Sequence, residues 1–189
     1  MIPLNLKRRH LRAPLRNEIV VISDGGENCL ASVGNISEGG IFIHNVNFSV
    51  SEKGFSLFFE IPLIPDLTKY SRKEILNLNQ DSFEYKVIGA MAESRREIEA
   101  VNETNKQVYS VGCEFVDLRS ESQEEIKRYV AQYSVNIVYV LSLFEQGTNK
   151  EDIRNLIKKC LSLMGYDTTV SLSTLRERLL HDYQSLESL

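Results

Sequence analysis

The sequence predicts a mainly β domain, a small antiparallel barrel or sandwich, followed by a helical tail. Three observations carry this. Short β-branched runs separated by Gly- and Asn-rich turns fill the chain from about Glu18 to Val116. No helical period interrupts them for long, so the strands pair with near neighbours rather than through helical crossovers. After Leu118 the apolar period changes from two to about 3.6.

The elements follow in order. "EIVVIS" (18–23) is a β-branched run closed by the turn "DGGEN"; "CLASVGNIS" (29–37) and "GIFIHNV" (40–46) flank the turn "EGG". "FSLFFEIPL" (55–63) is bounded by Pro62 and Pro65. "DLTKYSRKEILNLNQD" (66–81) is polar and charged, and reads as a long surface loop with at most one helical turn. "FEYKVIGAMAESRREIEA" (83–100), the turn "NETNK" and "QVYSVGCEFVDL" (107–118) complete the strands. Ser122 with Glu125 reads as a capping box opening a helix, with an apolar seam through Ile126, Val130, Tyr133, Ile137, Leu141 and Phe144 and a stop at Gly147. The β-branched "VNIVYV" stays helical because the seam runs through it. Thr148 with Glu151 opens a second helix ending at Gly165, and Thr174 with Glu177 a third. The domain plan is a flexible basic arm over 1–17, a β-domain with its terminal helix over 18–132, and a helical extension over 133–189.

Composition excludes several functions. A chain of 189 residues with 42% apolar content builds a real core. No stretch approaches the roughly 20 apolar residues of a membrane span, and the basic start lacks the apolar region of a signal peptide; a soluble cytoplasmic protein is expected. Cys29, Cys113 and Cys160 are odd in number and far apart, as are His10, His44 and His181, so neither a disulfide framework nor a metal site is expected. No nucleophile, base and orienter assemble from local motifs, and no phosphate-binding GxxxxGK[ST] occurs, so the expectation is no enzyme and no cofactor.

Charge is divided unevenly. Net charge is −4, yet the first sixteen residues hold Lys7, Arg8, Arg9, Arg12 and Arg16 and no acid, leaving −9 on the rest. A surface that tracks a long polyanion spreads positive charge over a face; here one arm faces an acidic body. The arm therefore suits a small, compact anion. DNA is not an expected partner, because the third helix sets Glu177, Asp182 and Glu187 against Arg176 and Arg178.

Two motifs stand in the right order for such a ligand. "RRHLR" contains R-x-x-x-R as Arg8 and Arg12, and "NISEGG" gives N-x-S-x-x-G as Asn35, Ser37 and Gly40. On a strand Asn35 and Ser37 point to one face, pairing an amide with a hydroxyl. Gly40 lets the backbone turn and a flat ligand approach. Alone, "NISEGG" is also an ordinary polar hairpin turn.

Together the motifs resemble the PilZ domain, the bacterial receptor module for cyclic di-GMP. "VGCEFVDL" followed by "SQEEIKRYV" is similar to that family's closing strand and terminal helix, so the resemblance covers roughly residues 5 to 132. It implies a six-stranded antiparallel β-barrel (split-barrel-like) with a helix across one end, and an arm that closes over the ligand. It also implies that Arg8 and Arg12 contact guanine edges and phosphates and that Asn35, Ser37 and Gly40 hold a guanine. Guanidinium chemistry agrees: a planar fork bonds phosphate oxygens or guanine O6 and N7 in pairs and stacks on purines, each cation–π contact being worth roughly 0.5–2 kcal/mol. Arg12 and Arg16 form an overlapping R-x-x-x-R; Arg8 and Arg12 are preferred because the family favours a doubled arginine and Pro14 stiffens the chain after Arg12. Arg9 is either a further phosphate contact or solvated, and His10 is a spacer.

The expected function is thus a cyclic di-GMP receptor that changes its arm and its surface for an unidentified protein partner. The alternative is a PilZ-fold adaptor that works by protein contacts through the helical extension without nucleotide. The helices either pack on one another and the barrel or form a homodimer through the Ile126 to Phe144 seam.

Overall fold

Period-two burial in the strands closes a barrel. In the computed structural model, which describes residues 11–50, 54–102, 104–147 and 150–187, seven strands and four α-helices form. The strands are β1 (Ala13–Pro14), β2 (Glu18–Ile22), β3 (Asn28–Ser37), β4 (Gly40–Val46), β5 (Phe55–Pro62), β6 (Tyr85–Val101) and β7 (Gln107–Leu118). Their order is β1-β3-β2-β5-β6-β7-β4, and β4 pairs back onto β3. Six antiparallel strands therefore close into a barrel, which leaves no open edge among them. The two-residue β1 is the additional strand.

The chain divides into two compact units. The first holds Arg12–Ile61 and Tyr85–Arg128. Its interior is filled by alternate residues, including Ile19 and Val21, Ile36, Ile41 and Ile43, Leu57 and Phe59, and Val111. Burying each large side chain contributes about 1.5–3 kcal/mol. Phe59 and Phe115 stack inside the barrel with centroids 6.4 Å apart.

The second unit gathers Pro62–Glu84 with Tyr129–Leu189. The segment expected to be a surface loop is structured: a 3-10 turn at Leu67–Lys69, helix α1 (Arg72–Asn77) and another 3-10 turn at Gln80–Ser82. Leu67 and Ile75 are buried. Ser71 and Glu74 close a full capping box on α1. The polar majority of the segment masked two anchoring apolar residues.

Helix α2 (Ser120–Glu145) runs through "VNIVYV" as expected and stops at Gly147, whose φ of 96° only glycine adopts readily. It begins three residues earlier than the Ser122 capping box implied, at Ser120 rather than Gln123. Glu125 instead pairs with Arg128 one turn on. Ile126, Val130, Tyr133, Ile137 and Phe144 are buried within the single chain. Helix α3 (Glu151–Leu163) has Lys150 at its N-cap without a side-chain bond; Thr148 lies outside the described residues. In α4 (Leu172–Glu187) the cap is Ser171, not Thr174: the Thr174 amide donates to Ser171 Oγ at 3.2 Å.

Candidate functional site

The site is built on the β3–β4 hairpin and on β1, which pairs with β3. Asn35 pairs with Phe42, Ile36 with Ile41 and Ser37 with Gly40. Asn35 and Ser37 therefore share one face while Ile36, fully buried, takes the other. A bulge lies between Val33 and Asn35, so Gly34 is the extra residue; it restores the inward aim of Val33 and Ile43 on one side and Ile36 and Ile41 on the other. The Ser37 hydroxyl donates to the Gly40 carbonyl at 3.2 Å and is largely buried.

The turn expected at Gly40 lies just before it. The turn belongs to Glu38 and Gly39; Gly40 begins β4. A Cβ there would stand 2.1 Å from the Cys113 carbonyl oxygen of β7. The glycine is thus a close approach between two backbones.

The chain before the barrel reaches the same place. β1 pairs Ala13 with Ile36 and Pro14 with Asn35, and extending that register by one residue sets Arg12 opposite Ser37. Ala13 and Leu15 are buried, while Arg12 is exposed. The last arginine of R-x-x-x-R and the serine of N-x-S-x-x-G are therefore neighbours across one strand pairing. Arg8 and Arg9 lie outside the described residues.

Charge around the hairpin is balanced locally. Glu114 of β7 lies opposite Gly40 and opposite Glu93 of β6. Arg95, the extra residue of a β6 bulge, binds both carboxylates, at 2.6 Å to Glu114 and 3.0 Å to Glu93. Its guanidinium is held even more firmly protonated, chiefly by the Glu114 hydrogen bond. One cation thereby offsets part of the repulsion that two acids would exert on an anion.

His44 flanks the site. Its ring meets Phe42 edge-on with centroids 4.6 Å apart, and Nδ1 lies 3.0 Å from Ser110 Oγ. Burial holds its imidazole below the ordinary 6.5. A histidine in the unfolded chain takes up its proton first as pH falls, so the stability tied to neutral His44 is complete above about pH 6.5 and is lost as pH drops through that value toward the folded pKa. Urea midpoints at about pH 7.5 and 5.5 should therefore separate more for the native chain than for His44→Gln. Equal separation would remove the assignment.

The cysteines are buried, and burial pushes the Cys113 and Cys160 thiols up to about 12, which keeps them protonated and inert. Among the described residues, no three His, Cys, Asp or Glu side chains gather to hold a metal ion. Nor, among the described residues, is any helix long and apolar enough to cross a membrane. A groove of about 460 Å³ lined by Asn17, Val20, Phe58, Glu60 and Tyr85, among others, lies on the barrel wall and shares no residue with the hairpin motif. Phe42, His44 and Arg95 were not foreseen, since their positions depend on strand register.

The sequence matches the family model of the PilZ domain over residues 6–132. No curated protein matches it. Among solved structures it is similar to the Bacillus subtilis inhibitor of motility MotI/DgrA, at 16% identity and TM-score 0.48 over 72% of this chain and 57% of that one. It is also similar to K. pneumonia MrkH in complex with c-di-GMP (16%, TM-score 0.40, 74% and 55%) and to the PilZ domain with c-di-GMP of YcgR from Escherichia coli (12%, TM-score 0.41, 72% and 98%). The match spans just over half the length of the first two.

Proposed function

The chain belongs to the PilZ domain family, and from that premise we propose that it is a receptor for cyclic di-GMP rather than an enzyme. PilZ proteins are ligand-binding receptors and adaptors, and no catalytic family is indicated. The observation that carries the reading is the β1–β3 register, which brings Arg12 beside Ser37 with Asn35 on the same strand face.

In this reading Arg12 forks to a phosphate or a guanine edge, Asn35 bonds a guanine with its amide, and the Ser37 hydroxyl, already donating to Gly40, offers its lone pairs to a guanine N–H. Gly40 keeps the hairpin tight against β7. Arg8 and Arg9 complete the cationic half from the arm. Nucleotide binding fixes the arm to the barrel, and the altered surface is what a partner protein reads. The ligand module is then Arg12–Ile61 with Tyr85–Arg128, and Pro62–Glu84 groups with the helical extension.

Titration of the purified chain with cyclic di-GMP by calorimetry tests this. The intact chain should bind, more weakly as salt rises. Arg12→Ala should bind about 10- to 100-fold more weakly, as expected for loss of one or two charge-assisted hydrogen bonds. A melting temperature recorded beside the titration separates loss of ligand contacts from loss of fold. No binding by the intact chain removes the proposal.

A further inference from the structure

Helix α2 carries no charged residue in the 16 positions from Tyr129 to Phe144. Burial accounts for its inward side, where Val130, Tyr133, Ile137 and Val140 are enclosed. It does not account for the outward side. There Val135 and Val138 are 43% and 52% exposed, with Ala131 and Ser142 exposed one turn before and one turn after them. Valine is a weak helix former, and an apolar side chain left in water forfeits its burial energy. Two valines on one outer stripe free of charge are what a covered face presents.

The stripe has the spacing of a helix-pairing seam. Ala131, Val135, Val138 and Ser142 follow one another at steps of four, three and four, the 3.5-residue period on which two helices mesh side by side. A further step of three leads back to Arg128 and on to Glu145, both exposed and both on this one helix. The small side chains of Ala131 and Ser142 let a second helix come close. The Ile126 to Phe144 seam, occupied within the chain, cannot serve such a contact; the opposite face can.

Charge selects the occupant and its direction. Arg128 and Glu145 stand symmetrically about the midpoint between Val135 and Val138, roughly 13 Å of helix to either side, and Ala131 and Ser142 share that midpoint. An antiparallel copy of α2 centred there sets Val135 against the second copy's Val138, Ala131 against its Ser142 and Arg128 against its Glu145, and the two-fold axis repeats each contact. A parallel copy would set Arg128 against Arg128 and Glu145 against Glu145. Within the chain Arg128 pairs with Glu125, and Glu145 with Arg176 of α4 at 3.0 Å. Both pairs are exposed and contribute roughly 0–1 kcal/mol, so a second helix adds an opposite charge to each without having to break it.

We propose that the outer face of α2 is a self-association surface: two copies of the chain pair antiparallel through Val135 and Val138, and Arg128–Glu145 contacts between the copies fix the direction.

Sedimentation equilibrium of the full chain without nucleotide tests it. One helix face against another makes an interface at the small end of the specific range, about 1,200 Å² in total, so a monomer–dimer equilibrium with a Kd on the order of 10 µM is expected. Val138→Glu should weaken association at least tenfold, the scale of leaving an unpaired charge in a covered contact. Glutamate favours a helix and is exposed there in the monomer, so the circular-dichroism melt should show a folded chain. Arg128→Glu and Glu145→Arg should each associate more weakly than the native chain, because each then opposes like charges across the pair. Mixed in equal amounts, the two should recover native association, since the mixed dimer restores both ion pairs; damage to the fold gives no such recovery. Should Val138→Glu not fold, the mixture decides. The proposal is overturned if the native chain stays monomeric about twentyfold above that Kd, if folded Val138→Glu dimerises as the native chain does, or if the mixture associates no better than its components. None of these results bears on the receptor reading, which needs nucleotide.

Discussion

Gly40→Ala is expected to lower the unfolding free energy by about 2–4 kcal/mol, with or without nucleotide present. The added methyl would stand 2.1 Å from the Cys113 carbonyl oxygen, far inside contact distance and against backbone rather than a flexible side chain. Relief requires β4 to move off β7. That move strains the pairing of Gly40 with Glu114 and of Ile41 with Cys113, and the bond from the Phe115 amide to the Gly39 carbonyl at 3.1 Å. It also lifts Ile41 and Ile43 from the core. Overpacking of this kind costs about 1–3 kcal/mol, and disturbed backbone bonds add to it. Urea denaturation of the full chain measures the cost, and Gly112→Ala is the control, expected within about 0.5 kcal/mol of the native chain. A Gly40→Ala cost as small as the control's would show that the strands part easily there. The consequence reaches function: a loss of binding in a Gly40 variant reports the fold before it reports the ligand.

That glycine marks where sequence reasoning reaches its limit. Period-two alternation made the strands legible, because burial on one face is a local property of β2 to β7. The shared face of Asn35 and Ser37 was legible for the same reason. The true neighbour of Gly40 is Cys113, far along the chain, and no local pattern announces a backbone approaching from there. The placement of Arg12 opposite Ser37 was equally hidden, since two residues of β1 carry too little pattern to mark a strand. Phe42, Gly112 and Arg96 were readable as strand residues, but their alignment depends on bulges at Gly34 and Arg95 that shift the register on either side. The family resemblance supplied the motif residues; the register supplies their neighbours.

Asn136→Ala is the second large effect expected, about 2–4 kcal/mol, and it concerns the segment whose polarity disguised its structure. Asn136 is 1% exposed on α2. Its Oδ1 accepts the Leu67 amide at 3.0 Å and Gln132 Nε2 at 3.3 Å, and its Nδ2 donates to the Pro65 carbonyl at 2.9 Å. One side chain thus satisfies a backbone donor and a backbone acceptor where the 3-10 turn at Leu67 begins. Alanine leaves both without their partner, at about 1–3 kcal/mol for each buried group. Asn136→Leu should be no better, since filling the volume does not restore the bonds. Asn136→Asp keeps an acceptor for Leu67 but turns a carboxylate oxygen toward the Pro65 carbonyl, so its cost should fall as pH drops and the acid protonates. Urea midpoints of the three variants, with amide exchange read at Leu67 and Ile75, check the ordering. Slow exchange at Leu67 in Asn136→Ala would mean that the turn holds without its asparagine. The signal was present in the sequence as Ser71 and Glu74, the same capping pattern that was read elsewhere; what it lacked was an apolar run, because Leu67 and Ile75 are enough once a buried amide fixes the backbone between them and α2.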